Sequence, residues 1–329
     1  MLTEPAPIYF SREDHFPARP LDTLAQLRKI NAERPEFPEK LILSKRARAK
    51  YTQNNLILKL ADLKTDLSDS YRNTYYCSEQ LEQVGTILKG RYCSNRWCLI
   101  CNRIRSGNLI NGYLAPLKSL NDKYFVTLTV PNVPADRLPD EINRLQVNFK
   151  LIQETARKAK TKLVGLKKLE CTYNFRRNDF HPHFHAIISG AYEAQYLYDN
   201  WLERFPESKD VGQDIQPADE NTCKEMFKYF TKLFSKNKRI FSPEALDIIF
   251  RSIRGRRIFQ PIGGLRKNKA VAENIESVRA EIYSFLDDAT GDFWQWDYNN
   301  HDWINLYTGE LLTGFIPSEN IKIISNNFE

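Results

Sequence analysis

Three of the chain's five histidines fall within one nine-residue run, FHPHFHAII at 180–188. In an extended segment side chains alternate faces, so His181, His183 and His185 point the same way, and neighbouring imidazoles come close enough to share one metal ion. Two imidazoles leave positions open for water or substrate, and an oxygen donor beside them suits Mn2+ or Mg2+ acting as a Lewis acid on a phosphate oxygen. The preceding segment, LVGLKKLECTYN, supplies that donor. Lys168, Glu170 and Thr172 share one face there, so Glu170 stands beside His183 and His185, or else pairs with Lys167 or Lys168. Chemistry on phosphate also needs an attacking group. Among sixteen tyrosines, KEMFKYFTK singles out Tyr229, because on a helix Glu225 lies four residues before it on the same face. A phenol with a pKa of about 10 needs help at neutral pH, and Lys228, Lys232 and a nearby metal favour the phenolate and hold the phosphate. Alone, an E-x3-Y pair on a solvated helix means nothing; its order behind the histidines gives it weight.

Four of six cysteines form a second cluster, Cys77-x15-Cys93-x4-Cys98-x2-Cys101. Four thiolates close a tetrahedral Zn2+ shell with no position open for water, so this site is structural. Disulfides are the weaker reading, and Cys171 and Cys223 read as small apolar fillers. Arg91, Arg96, Arg103 and Arg105, beside the cluster, either contact phosphates or offset its negative charge.

The elements that must position these groups come from composition and periodicity. With 329 residues, 42% hydrophobic and 27% charged, the chain can bury a real core. No apolar run approaches a membrane span and the start lacks the order of a secretion signal, so a cytoplasmic protein without a membrane partner is expected. Residues 1–269 hold 46 basic and 30 acidic side chains, net +16, against 2 and 11 in residues 270–329. A basic body suits a polyanion, although charge alone argues only weakly for nucleic acid.

Four segments are expected: an accessory arm at 1–75 with a mixed-charge helix, a zinc-binding module at 76–110, a catalytic domain at 111–269, and an acidic C-terminal extension at 270–329 with a final helix and a Trp-rich hairpin. In the third, KYFVTLTVPNV reads as a strand ended by Pro131, and DEINRLQVNFKLIQETARKAKTK as a crossover helix with Ile142, Leu145, Val147, Phe149 and Ile152 apolar. The Glu170 and histidine segments read as two strands joined by FRRNDF. EAQYLYDNWLERF and DENTCKEMFKYFTKLFSK read as helices, the latter capped by Asn221 or Thr222. A further helix lies in 243–269, before the basic RSIRGRRIFQPIGGLRKNK.

In their order, FVTLTVPNV, LECTYNFRRNDFHPHFHAII and EMFKYFTK resemble the motifs of rolling-circle plasmid replication initiators of the HUH endonuclease superfamily, in the single-tyrosine branch. YYCSEQL and RYCSNRWCLICNRIRS are similar to the cysteine module that precedes them in that branch. The resemblance spans roughly residues 75–268, and Leu99 departs from it, standing where many members carry proline. It implies an α+β fold, a central antiparallel sheet with helices packed against it (ferredoxin/RRM-like), plus the zinc module. It further implies a metal-dependent nickase with strand-transfer activity, in which Tyr229 forms a 5′-phosphotyrosine link and Glu225 activates water for termination. His183, His185 and Glu170 match the metal ligands, with His181 outside them. Origin DNA, as duplex, hairpin or single strand, is the implied partner, contacted by Arg96, Arg103, Arg105, Lys228, Lys232, Arg254, Arg256 and Arg257. Host helicase, polymerase and single-strand-binding protein follow, with homodimerisation left open. A single-strand transposase sharing the same groups, or a non-cleaving zinc-dependent DNA-binding regulator, are the alternatives.

Overall fold

The computed structural model describes residues 38–84, 87–227, 242–268 and 292–318. Its α+β architecture rests on two antiparallel sheets.

The larger sheet is built on β3 (Lys123–Thr129), β4 (Gly165–Asn174) and β5 (Asp179–Ser189). Here β5 lies between β3 and β4 and runs antiparallel to both. The helix α4 (Leu138–Lys158) carries the chain across from β3 to β4, so the sheet contains the expected crossover, split by the histidine strand. Two short edge strands, β6 (Asp214–Pro217) and β7 (Phe259–Ile262), complete the order β6-β3-β5-β4-β7. Neither has enough residues to show a period, and each holds a proline that only an edge tolerates. Close packing of β4 on β5 depends on Gly165, where a Cβ would stand 1.8 Å from the Ile187 carbonyl oxygen.

One face of this sheet is covered by α4, α5 (Ala191–Arg204) and α7 (Pro243–Ile253), whose buried Leu145, Phe149, Leu197, Trp201 and Phe250 join Val126, Leu128 and Phe184 in the main core. The α4 stripe is Ile142, Leu145, Phe149, Ile152 and Ala156 at spacings of three and four. Val147 departs from expectation, 49% exposed, because it falls outside that stripe. Among the described residues the opposite face is covered at one end. There α3 (Leu99–Lys118) and α6 (Glu220–Met226) pack Leu109, Tyr113, Leu117, Cys223 and Met226, with Phe227, onto Leu166 and Ile187. The N-cap of α6 is Asp219, which accepts from Thr222 N at 2.7 Å, and not Asn221 or Thr222. A carboxylate at that position also complements the helix dipole.

The smaller sheet has the order β2-β1-β8-β9 and joins distant parts of the chain. Strands β1 (Gln80–Val84) and β2 (Ile87–Gly90) follow Cys77, and β1 pairs with β8 (Asp292–Asp297), which forms the expected Trp-rich hairpin with β9 (Asp302–Asn305). Trp294, Trp296 and Trp303 pack there with Ala47 of α1 (Pro38–Asp62) and Leu81. A short helix, α2 (Ser68–Tyr75), connects α1 to this sheet. The expected helix within 270–291 lies outside the described residues. Among the described residues no helix is long and apolar enough to cross a membrane.

Candidate metal centre

Register places the histidines. On β5, His183 stands opposite Glu170 of β4 and Thr129 of β3, while His185 stands opposite Lys168 and Thr127. These residues all lie on the half-covered face, beyond the end of the apolar patch, as the alternation predicts. Adjacent imidazole centroids are 5.0 Å apart for His181 and His183 and 4.8 Å for His183 and His185.

Two imidazoles converge on one carboxylate oxygen. Glu170 Oε2 lies 3.5 Å from His183 Nε2 and 3.3 Å from His185 Nε2. The other ring nitrogens are held from behind. His183 Nδ1 is 3.0 Å from the His181 carbonyl oxygen, and since a carbonyl only accepts, Nδ1 carries a proton there and Nε2 is the nitrogen turned to Glu170. His185 Nδ1 is 3.2 Å from Thr127 Oγ1, and its ring stacks on Phe125. Burial pushes His185 toward its neutral form. Burial also opposes ionisation of Glu170, but the hydrogen bonds from His183 and His185 and the Lys168 ammonium outweigh it and hold the carboxyl well below the usual range. With no proton on either Nε2, two ring nitrogens 3.5 and 3.3 Å from one carboxylate oxygen, all three atoms within 4.8 Å of one another, are close enough to converge on a small divalent ion with bonds of about 2.0–2.2 Å. The donor set thus fits Mn2+ or Mg2+.

The remaining carboxylate oxygen, Oε1, is taken by the Lys168 ammonium. Glu170 therefore makes both of the contacts that alternation left open, one with each oxygen. His181 stands apart from the convergence point, its Nδ1 2.9 Å from Asn132 Oδ1, while the Asn132 amide donates to Asp179 at 2.6 Å.

The second cluster also assembles. Cys77 Sγ lies 3.5 Å from both Cys98 Sγ and Cys101 Sγ, and Cys93 Sγ lies 3.7 Å from Cys101 Sγ. A tetrahedral shell with Zn–S bonds of about 2.3 Å spaces its sulfurs about 3.8 Å apart, so the four fit zinc. Burial pushes the Cys98 thiol up, an environment in which thiolates require a compensating cation. Part of the frame comes from α1, where sequence reading found no chemistry. Buried Lys50 donates to the carbonyls of Tyr75 (2.6 Å) and Cys77 (2.8 Å), and burial lowers its pKa to about 8. Gln53 accepts from Leu99 N at 2.9 Å and donates to the Thr74 carbonyl at 2.8 Å. A proline at position 99 lacks that donor. Cys98 itself caps α3, accepting from Cys101 N at 3.2 Å.

The arginines divide. Arg96 donates to the carbonyls of Ile253 (3.1 Å) and Arg256, tying the cysteine module to the end of α7. Arg105 braces the knuckle through Asn102 Oδ1 (2.9 Å) and the Ser94 carbonyl (2.8 Å). Arg256 binds the Ser252 and Pro139 carbonyls, and Arg254 pairs with Asp66 at 3.1 Å. Arg103 and Arg257 are exposed. Glu225 is exposed on α6, the helix packed on the histidine face; Lys228, Tyr229 and Lys232 lie outside the described residues.

A family model described as "Replication protein" matches residues 84–304, a span that holds the histidine centre, position 229 and three of the four clustered cysteines. The chain belongs to this replication protein family. The motif resemblance and the family match therefore agree. Protein rep of Staphylococcus aureus is 29% identical over 177 residues, covering 47% of this chain and 76% of that protein. Protein rep of Streptococcus pneumoniae serotype 2 is 27% identical over 257 residues, covering 63% and 77%. A Bacillus sp. Protein rep is 31% identical over 124 residues, covering 36% and 39%. No solved structure matches at a significant level.

Sequence reading did not assign Thr127, Asn132, Lys50 or Gln53 a part in either centre. Thr127 was discoverable, since alternation in FVTLTV puts it on the face of a neighbouring strand. Gln53 and Lys50 had no local signal, because their partners lie 21 or more residues away.

Proposed function

We propose that this replication protein initiates rolling-circle replication of a plasmid in the cytoplasm by nicking origin DNA and joining one end to itself. The observation that carries the reading is the convergence of His183, His185 and Glu170 on a sheet face that also carries α6, the helix preceding Tyr229 in sequence. Those three residues would hold a divalent ion whose chemistry is Lewis-acid polarisation of the scissile phosphate.

The chain's own groups do the rest. Thr127 and the His181 carbonyl keep the imidazoles oriented, so no reorganisation is needed when DNA arrives. The Tyr229 oxygen attacks phosphorus, the bond to the 3′ oxygen breaks, and the freed 3′-hydroxyl primes synthesis while the 5′ phosphate stays on the tyrosine. Lys228 and Lys232 favour the phenolate and the phosphate charge. At termination Glu225 takes a proton from water, whose oxygen attacks the phosphorus of the returning strand; the bond to its 3′ oxygen breaks, and the resulting 3′-hydroxyl attacks the phosphotyrosine and expels the Tyr229 oxygen. The four-cysteine module, loaded with Zn2+, and exposed Arg103 and Arg257 hold the DNA duplex or hairpin, while Arg96, Arg105, Arg254 and Arg256 set the frame.

The test is a labelled origin hairpin incubated with the protein and Mn2+. A covalent adduct that disappears in Tyr229→Phe supports the nickase. Tight binding with no adduct marks a non-cleaving regulator, and joining of two transposon ends marks a transposase.

A further inference from the structure

We infer that Lys168 is a positioning residue that confines Glu170 to coordination through one oxygen and thereby selects a small divalent ion over Ca2+. This rests on the metal-dependent reading above.

Lys168 is not a surface lysine that happens to find an acid. Its side chain is 5% exposed, and its ammonium lies 5.7 Å from the Phe259 ring centroid, with Phe227 stacked beyond at 5.9 Å. In register it stands opposite His185, and it reaches along its own strand to Glu170 Oε1. The carboxylate is thus divided: Oε1 faces an ammonium and Oε2 faces two imidazole nitrogens. An ion entering between the imidazoles meets a single carboxylate oxygen.

The division discriminates among ions. Ca2+ takes six to eight oxygens at about 2.3–2.6 Å and commonly uses both oxygens of a carboxylate, whereas Mg2+ demands a compact octahedron and keeps several waters. Blocking Oε1 removes a ligand that Ca2+ uses and a smaller ion does not. A buried pair that only steadied β4 would affect unfolding and leave ion preference unchanged.

Calorimetric titration of the full-length, zinc-loaded chain with Mn2+ and with Ca2+ tests this, comparing wild type, Lys168→Met and Glu170→Gln. Wild type is expected to prefer Mn2+, and Lys168→Met to lower the Mn2+/Ca2+ affinity ratio about tenfold or more as the second oxygen becomes available to Ca2+. An unchanged ratio in a folded Lys168→Met variant overturns the inference. A second measurement leaves Lys168 intact: the infrared splitting of the Glu170 carboxylate stretches in Mn2+-loaded wild type, differenced against Glu170→Gln. One-oxygen coordination is expected, and two-oxygen coordination overturns the inference. Equal Mn2+ affinity in wild type and Glu170→Gln overturns the metal-dependent reading itself, and the inference with it.

Discussion

Beneath the histidine-bearing face, β4 buries a second lysine, and its charge should be measurable in stability. Lys167 is 3% exposed on the core side of β4, its ammonium 3.9 Å from the Phe149 ring centroid and 4.4 Å from that of Phe184. Burial lowers its pKa from 10.5 to about 7, a difference worth about 5 kcal/mol. The two rings return about 1–3 kcal/mol through cation–π attraction, so desolvation wins and the charged form costs about 2–4 kcal/mol. The unfolded chain keeps this proton up to about pH 10.4, while the folded chain releases it at a lower pH. Stability therefore rises with pH across that interval, the penalty being complete below pH 7. Urea unfolding of wild type and Lys167→Met, measured between pH 6.5 and 10, isolates the term because all other titrations cancel in the difference. Lys167→Met should be more stable by about 2–4 kcal/mol at pH 6.5, with the gap closing toward pH 10. A gap that does not change with pH, or a variant less stable at pH 6.5, would refute the reasoning.

Trp303→Ala should cost about 3–5 kcal/mol, since the fully buried indole packs on Trp296 and donates to the Ser78 carbonyl at 2.8 Å. Because Ser78 follows Cys77, zinc should also leave faster under chelator challenge, read by an absorbing zinc indicator. Arg257→Ala should weaken origin binding and lower the salt slope by about 1, with unfolding unchanged. Arg96→Ala should instead cost about 1–3 kcal/mol of stability, seen in urea titration, because it removes the donor to the Arg256 carbonyl and leaves the Ile253 carbonyl with the Arg256 N–H alone. Glu225→Ala should nick normally but release product poorly in a two-step cleavage assay; equal loss of both steps would contradict the division of labour between Tyr229 and Glu225.

How far the fold was legible follows from where its signals lie. Alternation over ten or more residues made β4 and β5 readable, and with them the shared face of Glu170, His183 and His185. The C-x2-C knuckle was readable because its geometry is local. The four-residue strands β6 and β7 were not, being too short to show a period and held by partners far along the chain. Nor was the smaller sheet, since nothing local tells Glu82 that Phe293 is its neighbour. The arginines show the limit most clearly: all look alike in sequence, yet Arg96 is committed to carbonyls 157 and 160 residues away while Arg257 stays exposed.

The proposed bond between the Tyr229 phenol and DNA can be read directly by mass spectrometry. Trypsin should cut after Lys228 and Lys232, so wild-type protein reacted with origin DNA and Mn2+, then digested with nuclease and trypsin, isolates residues 229–232 as one peptide for mass spectrometry. That peptide is expected to carry a nucleotide 5′-phosphate on Tyr229, and to lose it when His183 is replaced by alanine. A nucleotide found on another residue, or cleavage of the origin with no modified peptide, would contradict the account.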